Sequence, residues 1–260
     1  MVFPTNVNAS LKIQQALNDP DCHMELAAKL VMAEPLLAAR TVAIANSVAY
    51  NRSGSDITNV RTAVMRLGFR TLQSLVAAVV VRQIGSKISD PLLRAKVAVL
   101  WEHTAHVAAL AHVIARKVTR LDPDTAMFAG IVHEVGGFYL LSRAEEFPGL
   151  LDGDPESWAE YGEKIIGRGV LKKLAVPDPV AQAVESLWYG YRAIPPETLG
   201  DTLMLANDLA PVASPLYVAA GATTEASAST IDFGVGEGTL SSILEESDEE
   251  VKALTAALMF

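Results

Sequence analysis

The chain has 260 residues, half of them hydrophobic, a mean hydropathy of +0.27 and one cysteine, Cys22. That is enough apolar material for a sizeable core, in one large domain or two small ones. A single cysteine excludes an intrachain disulfide and a multi-cysteine metal site, and a net charge of −9 argues against nucleic-acid binding, which favours a basic surface.

The opening segment, Met1 to Asn6, has no basic stretch followed by an apolar one, so no secretory signal is read there. No run approaches the ~18 consecutive apolar residues of a spanning helix. No membrane association and a cytoplasmic location are the resulting expectations. Leu11, Ile13, Ala16 and Leu17 predict a first helix over Ser10 to Leu17. Asp19-Pro20-Asp21 interrupts it, and Asp21 is expected to cap a helix through Met24, Ala27 and Leu30. Pro35 suits the first turn of the next helix, which runs to Asn46. Tyr50 to Ile57 reads as a polar loop. Asn59 should cap a helix over Val60 to Leu67 that Gly68 stops, and the apolar stretch to Ile84 reads as a buried helix.

Gly85-Ser86-Lys87 looks like a hinge, dividing a lobe over 1–87 from one over 88–260 within a single domain. A long helix is predicted from Pro91 to Val118. Asp122 and Pro123 start another, expected to run unbroken through Met127, Ile131 and Leu140. Further helices begin at Pro155 and Pro177, and one spans Leu199 to Leu209. Residues 219–238, rich in Ala, Ser, Thr and Gly, read as a loop. Thr239 to Leu258 is predicted as one amphipathic helix with its acidic run, Glu245 to Glu250, turned outward. No alternating pattern suggests a strand. The fold class is therefore all-α.

Four residues stand out chemically. His103 and His133 are 30 positions apart, Glu134 follows at once, and Asp208 comes 74 positions later. Imidazoles and carboxylates on neighbouring helices suit a divalent cation with mixed nitrogen and oxygen ligands. An adjacent His and acid late in the apolar run Met127 to Val132 is also an unusual choice for a purely structural segment, because ionised carboxylates are rarely buried without a partner. The bland alternative is a histidine bonded to a backbone carbonyl and a glutamate in a salt bridge. His106, His112 and His23 read as ordinary polar residues, and Arg61, Arg66 and Arg70 as solvated surface charge.

Several segments resemble the HDOD family, a branch of the HD phosphohydrolase superfamily. Ala33 to Arg40 resembles its DPxLxxR segment, Ile44 to Tyr50 its ANSxxY signature, and Ile57 to Gly68 its IxxxxxAIxxLG pattern. Further on, Leu100 to Thr104 is similar to LWxHS, Ala129 to Gly136 to xGLLHDIG, and Leu205 to Asp208 to a late family helix. The likeness covers roughly residues 6 to 211. It implies an HD-domain-like helical bundle with an N-terminal helical lobe. Pro35, Asn46, Ser47, Tyr50 and Gly68 then serve as scaffold. Asn46 and Ser47 can bond backbone near a helix end.

The departures bear on activity. Catalytic relatives carry aspartate where this chain has Glu134, often a lysine where it has Gly137, and, with two metals, further histidines; none follows His133 here. The resemblance thus leaves no cofactor, or one divalent metal ion on His103, His133, Glu134 and Asp208. It implies a signal-transduction protein that binds other signalling proteins, or a small ligand, without turnover. The alternative is a metal-dependent phosphohydrolase or phosphodiesterase acting on a nucleotide.

Overall fold

A computed structural model describes residues 7–51, 54–147, 149–151, 158–190, 193, 195–216 and 239–259. Among them the regular structure is all helical, without a strand. In chain order the helices are α1 (Val7–Leu17), α2 (Met24–Met32), α3 (Pro35–Ala45), α4 (Val60–Ile84), α5 (Pro91–Ile114), α6 (Pro123–Val132) and α7 (Val135–Arg143). Then come α8 (Arg168–Lys173), α9 (Asp178–Tyr189), α10 (Leu199–Leu209), α11 (Thr239–Glu246) and α12 (Asp248–Leu258). A π-helical turn, Ala115–Thr119, extends α5, and a π-wound stretch, Trp158–Gly167, precedes α8. The expected starts at Pro155 and the loop over 219–238 lie outside the described residues.

Most helix starts follow their caps. Asn59 accepts from the Thr62 amide at 2.9 Å, and Asp122 from the Thr125 amide at 2.7 Å. Thr198 and Asp201 form a reciprocal capping box at the start of α10. The cap of α2 is not Asp21. Asp19 takes the Asp21 amide at 2.9 Å, and His23 Nδ1 accepts from the Leu26 amide at 3.2 Å instead. Gly68, at φ 73° and ψ 178°, breaks α4 into two kinked halves. That backbone region is essentially closed to residues with a Cβ.

Two long helices prove to be broken. The predicted helix through Leu140 turns at His133-Glu134. His133 Nδ1 takes the Gly130 carbonyl at 2.6 Å, so the side chain competes for an acceptor that a continuing helix would use. The predicted helix over 239–258 breaks at buried Ser247, whose hydroxyl donates to the Ile243 carbonyl at 2.6 Å. The acidic run is outward at Glu245, Glu246, Asp248 and Glu249, but Glu250 is turned inward with its side chain 13% exposed.

One hydrophobic cluster runs from Ile13 to Leu258 and takes in nearly every residue of α4 from Leu72 to Val81. By length and composition α4 and the stretch Pro91–Thr119 could cross a membrane, yet both are mostly buried within the fold. Helices α5 and α6 cross where Gly130 meets Ala108. A Cβ built at 130 would lie 2.5 Å from the Ala108 Cα, so only glycine permits this approach. The crossing brings the inward faces of the two helices together at their histidines.

Candidate metal centre

His103 projects from the middle of α5, His133 ends α6, and Glu134 occupies the turn before α7. All three are buried, at 2%, 6% and 3% exposure. One ligand atom from each lies within 4.8 Å of the others. The two Nε2 atoms are 3.2 Å apart.

The hydrogen bonds fix the ring tautomers. His103 Nδ1 lies 2.7 Å from the Val212 carbonyl and His133 Nδ1 2.6 Å from the Gly130 carbonyl. A carbonyl only accepts, so both Nδ1 atoms carry their protons. Each neutral ring then points a bare Nε2 lone pair at the other. Such a contact repels unless a proton or a cation lies between the rings. A proton is disfavoured: burial, then His103, pushes His133 down to about 3, and burial also lowers His103. A cation fits better. Two nitrogens bound at ~2.1 Å to one tetrahedral ion are roughly 3.4 Å apart. Carbonyls on the far ring nitrogens are the usual support for metal-binding histidines.

Glu134 fits the same reading. Its Oε2 is buried with no hydrogen-bond partner, and burial raises its carboxyl above the usual range, opposed by hydrogen bonding from Ser214. An orphaned carboxylate oxygen beside two lone pairs is what a divalent ion would satisfy. The three residues present therefore suit such a group.

Asp208 does not belong to this trio. It is half-buried on α10, beside the equally half-buried Asn207. Asn207, Val212 and Ser214 around the site carry no sequence signal as ligand supports. Gly137 has a local role too. A Cβ there would sit 2.3 Å from Leu216 Cδ1 and 3.1 Å from Glu134 Oε2. Residues 210–216 approach the cluster, the Val212 carbonyl at His103 and Leu216 beside Gly137.

The remaining motif residues sit in the N-terminal half. Pro35 is the first residue of α3. Asn46 pairs with the backbone of Ile57 through both side-chain atoms, each at 2.8 Å, and Ser47 donates to the Ile44 carbonyl at 2.7 Å. The Tyr50 hydroxyl donates to Asp124 on α6. The three arginines are all engaged: Arg61 with Glu25, Arg66 with the Ala45 and Ser55 carbonyls, Arg70 with Asp122.

The HDOD domain family model matches residues 3–152, and the HD domain model matches residues 100–209. A search of curated proteins found no match. Among solved structures, the chain is similar to a Shewanella amazonensis protein provisionally described as a metal-dependent phosphohydrolase. Identity is 21% and the TM-score 0.74, over 99% of this chain and 93% of that one. It is similar also to an HDOD domain protein of unknown function from Geobacter sulfurreducens, at 21% identity and TM-score 0.62, covering 100% and 94%. A Marinobacter aquaeolei protein, provisionally described as acting in signal transduction, gives 19% and 0.57, over 99% and 60%. At these identities the likeness establishes the helical fold.

Proposed function

The chain belongs to the HDOD domain family, and we propose that it is a bacterial cytoplasmic signal-transduction protein that acts by binding, without turnover. One divalent cation on His103, His133 and Glu134 would serve as an internal fastener between α5 and the α6–α7 turn. The observation that carries this reading is the closure of the site. All three ligands are buried, and Leu216 fills the space beside Gly137 where catalytic relatives often hold a lysine. Among the described residues, that burial stands against entry of a substrate phosphate in this conformation.

Bound there, a cation would supply positive charge to two lone pairs and a carboxylate, and in an open site of this type it can also activate water. Here the chain's own groups do the rest. The Val212 and Gly130 carbonyls orient the rings. Other signalling proteins are the proposed partners, with a small ligand as a further possibility and packing between the 1–87 and 88–260 lobes as the responsive element. The Tyr50–Ile57 loop, held by Asn46, is the proposed contact surface, and loosening it with Asn46→Ala should weaken capture of partners from the native host.

The facing imidazoles favour one other reading, a nucleotide phosphohydrolase. A screen of phosphate mono- and diesters with added Mn2+, Fe2+ or Zn2+ separates the two. Hydrolysis no faster than the metal blank is expected. Turnover that disappears in His133→Ala would replace the regulatory reading with the enzymatic one.

A further inference from the structure

A second buried polar cluster lies on α5, apart from the metal-type site. His112 is 4% exposed, and its two ring nitrogens face carboxylates from two different elements. Nδ1 is 3.9 Å from Asp124 Oδ1 on α6, and Nε2 is 3.8 Å from Glu250 Oε1 on α12. Both gaps are too long for hydrogen bonds and too short for an intervening water. His112 Nδ1 and Glu250 Oε1 accordingly have no hydrogen-bond partner.

The other groups around the ring are already paired. From the turn after α3, Tyr50 donates to Asp124 and sets its ring 5.8 Å from His112. From the π turn, Arg116 holds the second oxygen of Glu250. The Pro123 carbonyl also faces the imidazole. On α4, Ser74 donates to the Asp124 carbonyl at 3.4 Å, and Arg70 holds Asp122 farther out. Helix α12 is otherwise tied down through backbone carbonyls: Trp101 Nε1 donates to Leu258 at 3.2 Å, and Arg40 to Ala257 at 3.4 Å.

We propose that His112 is a proton-sensitive pin for α12: with a neutral ring the helix is seated on α5, and a proton taken up there loosens the seat. The opposing effects are Coulombic and solvation. Asp124 and Glu250 favour the imidazolium, while Arg116 and the loss of water disfavour it. Each carboxylate already has a partner, and neither lies within hydrogen-bond reach, so desolvation wins and the buried ring titrates below its ordinary value. Once α12 lifts away, the ring meets water with Asp124 still facing it, and its value rises at least to the ordinary one, near 6.5. The released state therefore binds more protons. Seating is complete above pH ~6.5 and is lost as the pH falls toward the lower value of the docked state.

Hydrogen exchange on the full chain tests this at residues 248–258, between pH 7.5 and 5.5, corrected for intrinsic exchange. The expected result is a fall in protection of roughly tenfold per pH unit separating the two states, concentrated in α12. In His112→Gln, which has no titrating ring, protection should be flat. An NMR titration of the unaltered protein covers the case in which that variant misfolds, with His112 expected to titrate below 6.5. Constant or rising wild-type protection on acidification, the same fall in His112→Gln, or a His112 midpoint above 6.5 would each overturn the proposal.

Discussion

Asn46 shows how a short motif becomes physical. Its amide both donates to and accepts from Ile57, which closes an 11-residue excursion with one side chain. Asn46→Ala leaves the Ile57 N–H and C=O without those partners. A loss of about 1–3 kcal/mol in chemical denaturation is expected, with faster proteolysis near residues 51–57. Gly130 is held against backbone, which cannot give way as a side chain can. Gly130→Ala drives a methyl against the Ala108 backbone, and a cost of about 1–3 kcal/mol is expected. Because that crossing sets His103 against His133, the same variant should also bind divalent metal more weakly, as read by isothermal titration. His112 and Glu250 were not legible in the sequence. Glu250 sits in an acidic run and is turned inward by the packing of α12, while His112, in the buried run Ala109 to Ile114, gives no sequence sign of the carboxylates it faces.

Element boundaries were most legible where a local group forces them. Pro35, Asn59 and Asp122 lie at or just before the starts of their helices. Gly68 is the sharpest stop. Substituting alanine there puts a Cβ on a backbone that only glycine readily adopts, at an expected cost of about 1–3 kcal/mol; a thermal-melt comparison with the parent checks it. The misread elements share a trait. At His133-Glu134 and at Ser247 the hydrophobic period runs straight through the break. At His133 the ring takes the Gly130 carbonyl, a competition that periodicity does not register. The π turn at Ala115–Thr119, which carries Arg116 to Glu250, leaves no mark in the period either.

At the scale of the whole molecule, the all-helical class was written in periodicity, and the family in motifs spread over both halves. Of the four proposed ligands, His103, His133 and Glu134 come within 4.8 Å of one another, and Asp208 stands outside that trio. Residues 210–216 were unreadable as a cover, since backbone carbonyls and a lone serine carry no pattern. The account therefore separates holding a cation from using one. Metal content of the purified chain, measured after incubation with Mn2+, Fe2+ or Zn2+ and removal of the excess, tests the first of these most directly. One equivalent per chain is expected in the parent and in Asp208→Asn, and none in folded His133→Ala. A parent protein that stays metal-free, or a His133→Ala variant that loads as fully as the parent, would contradict it.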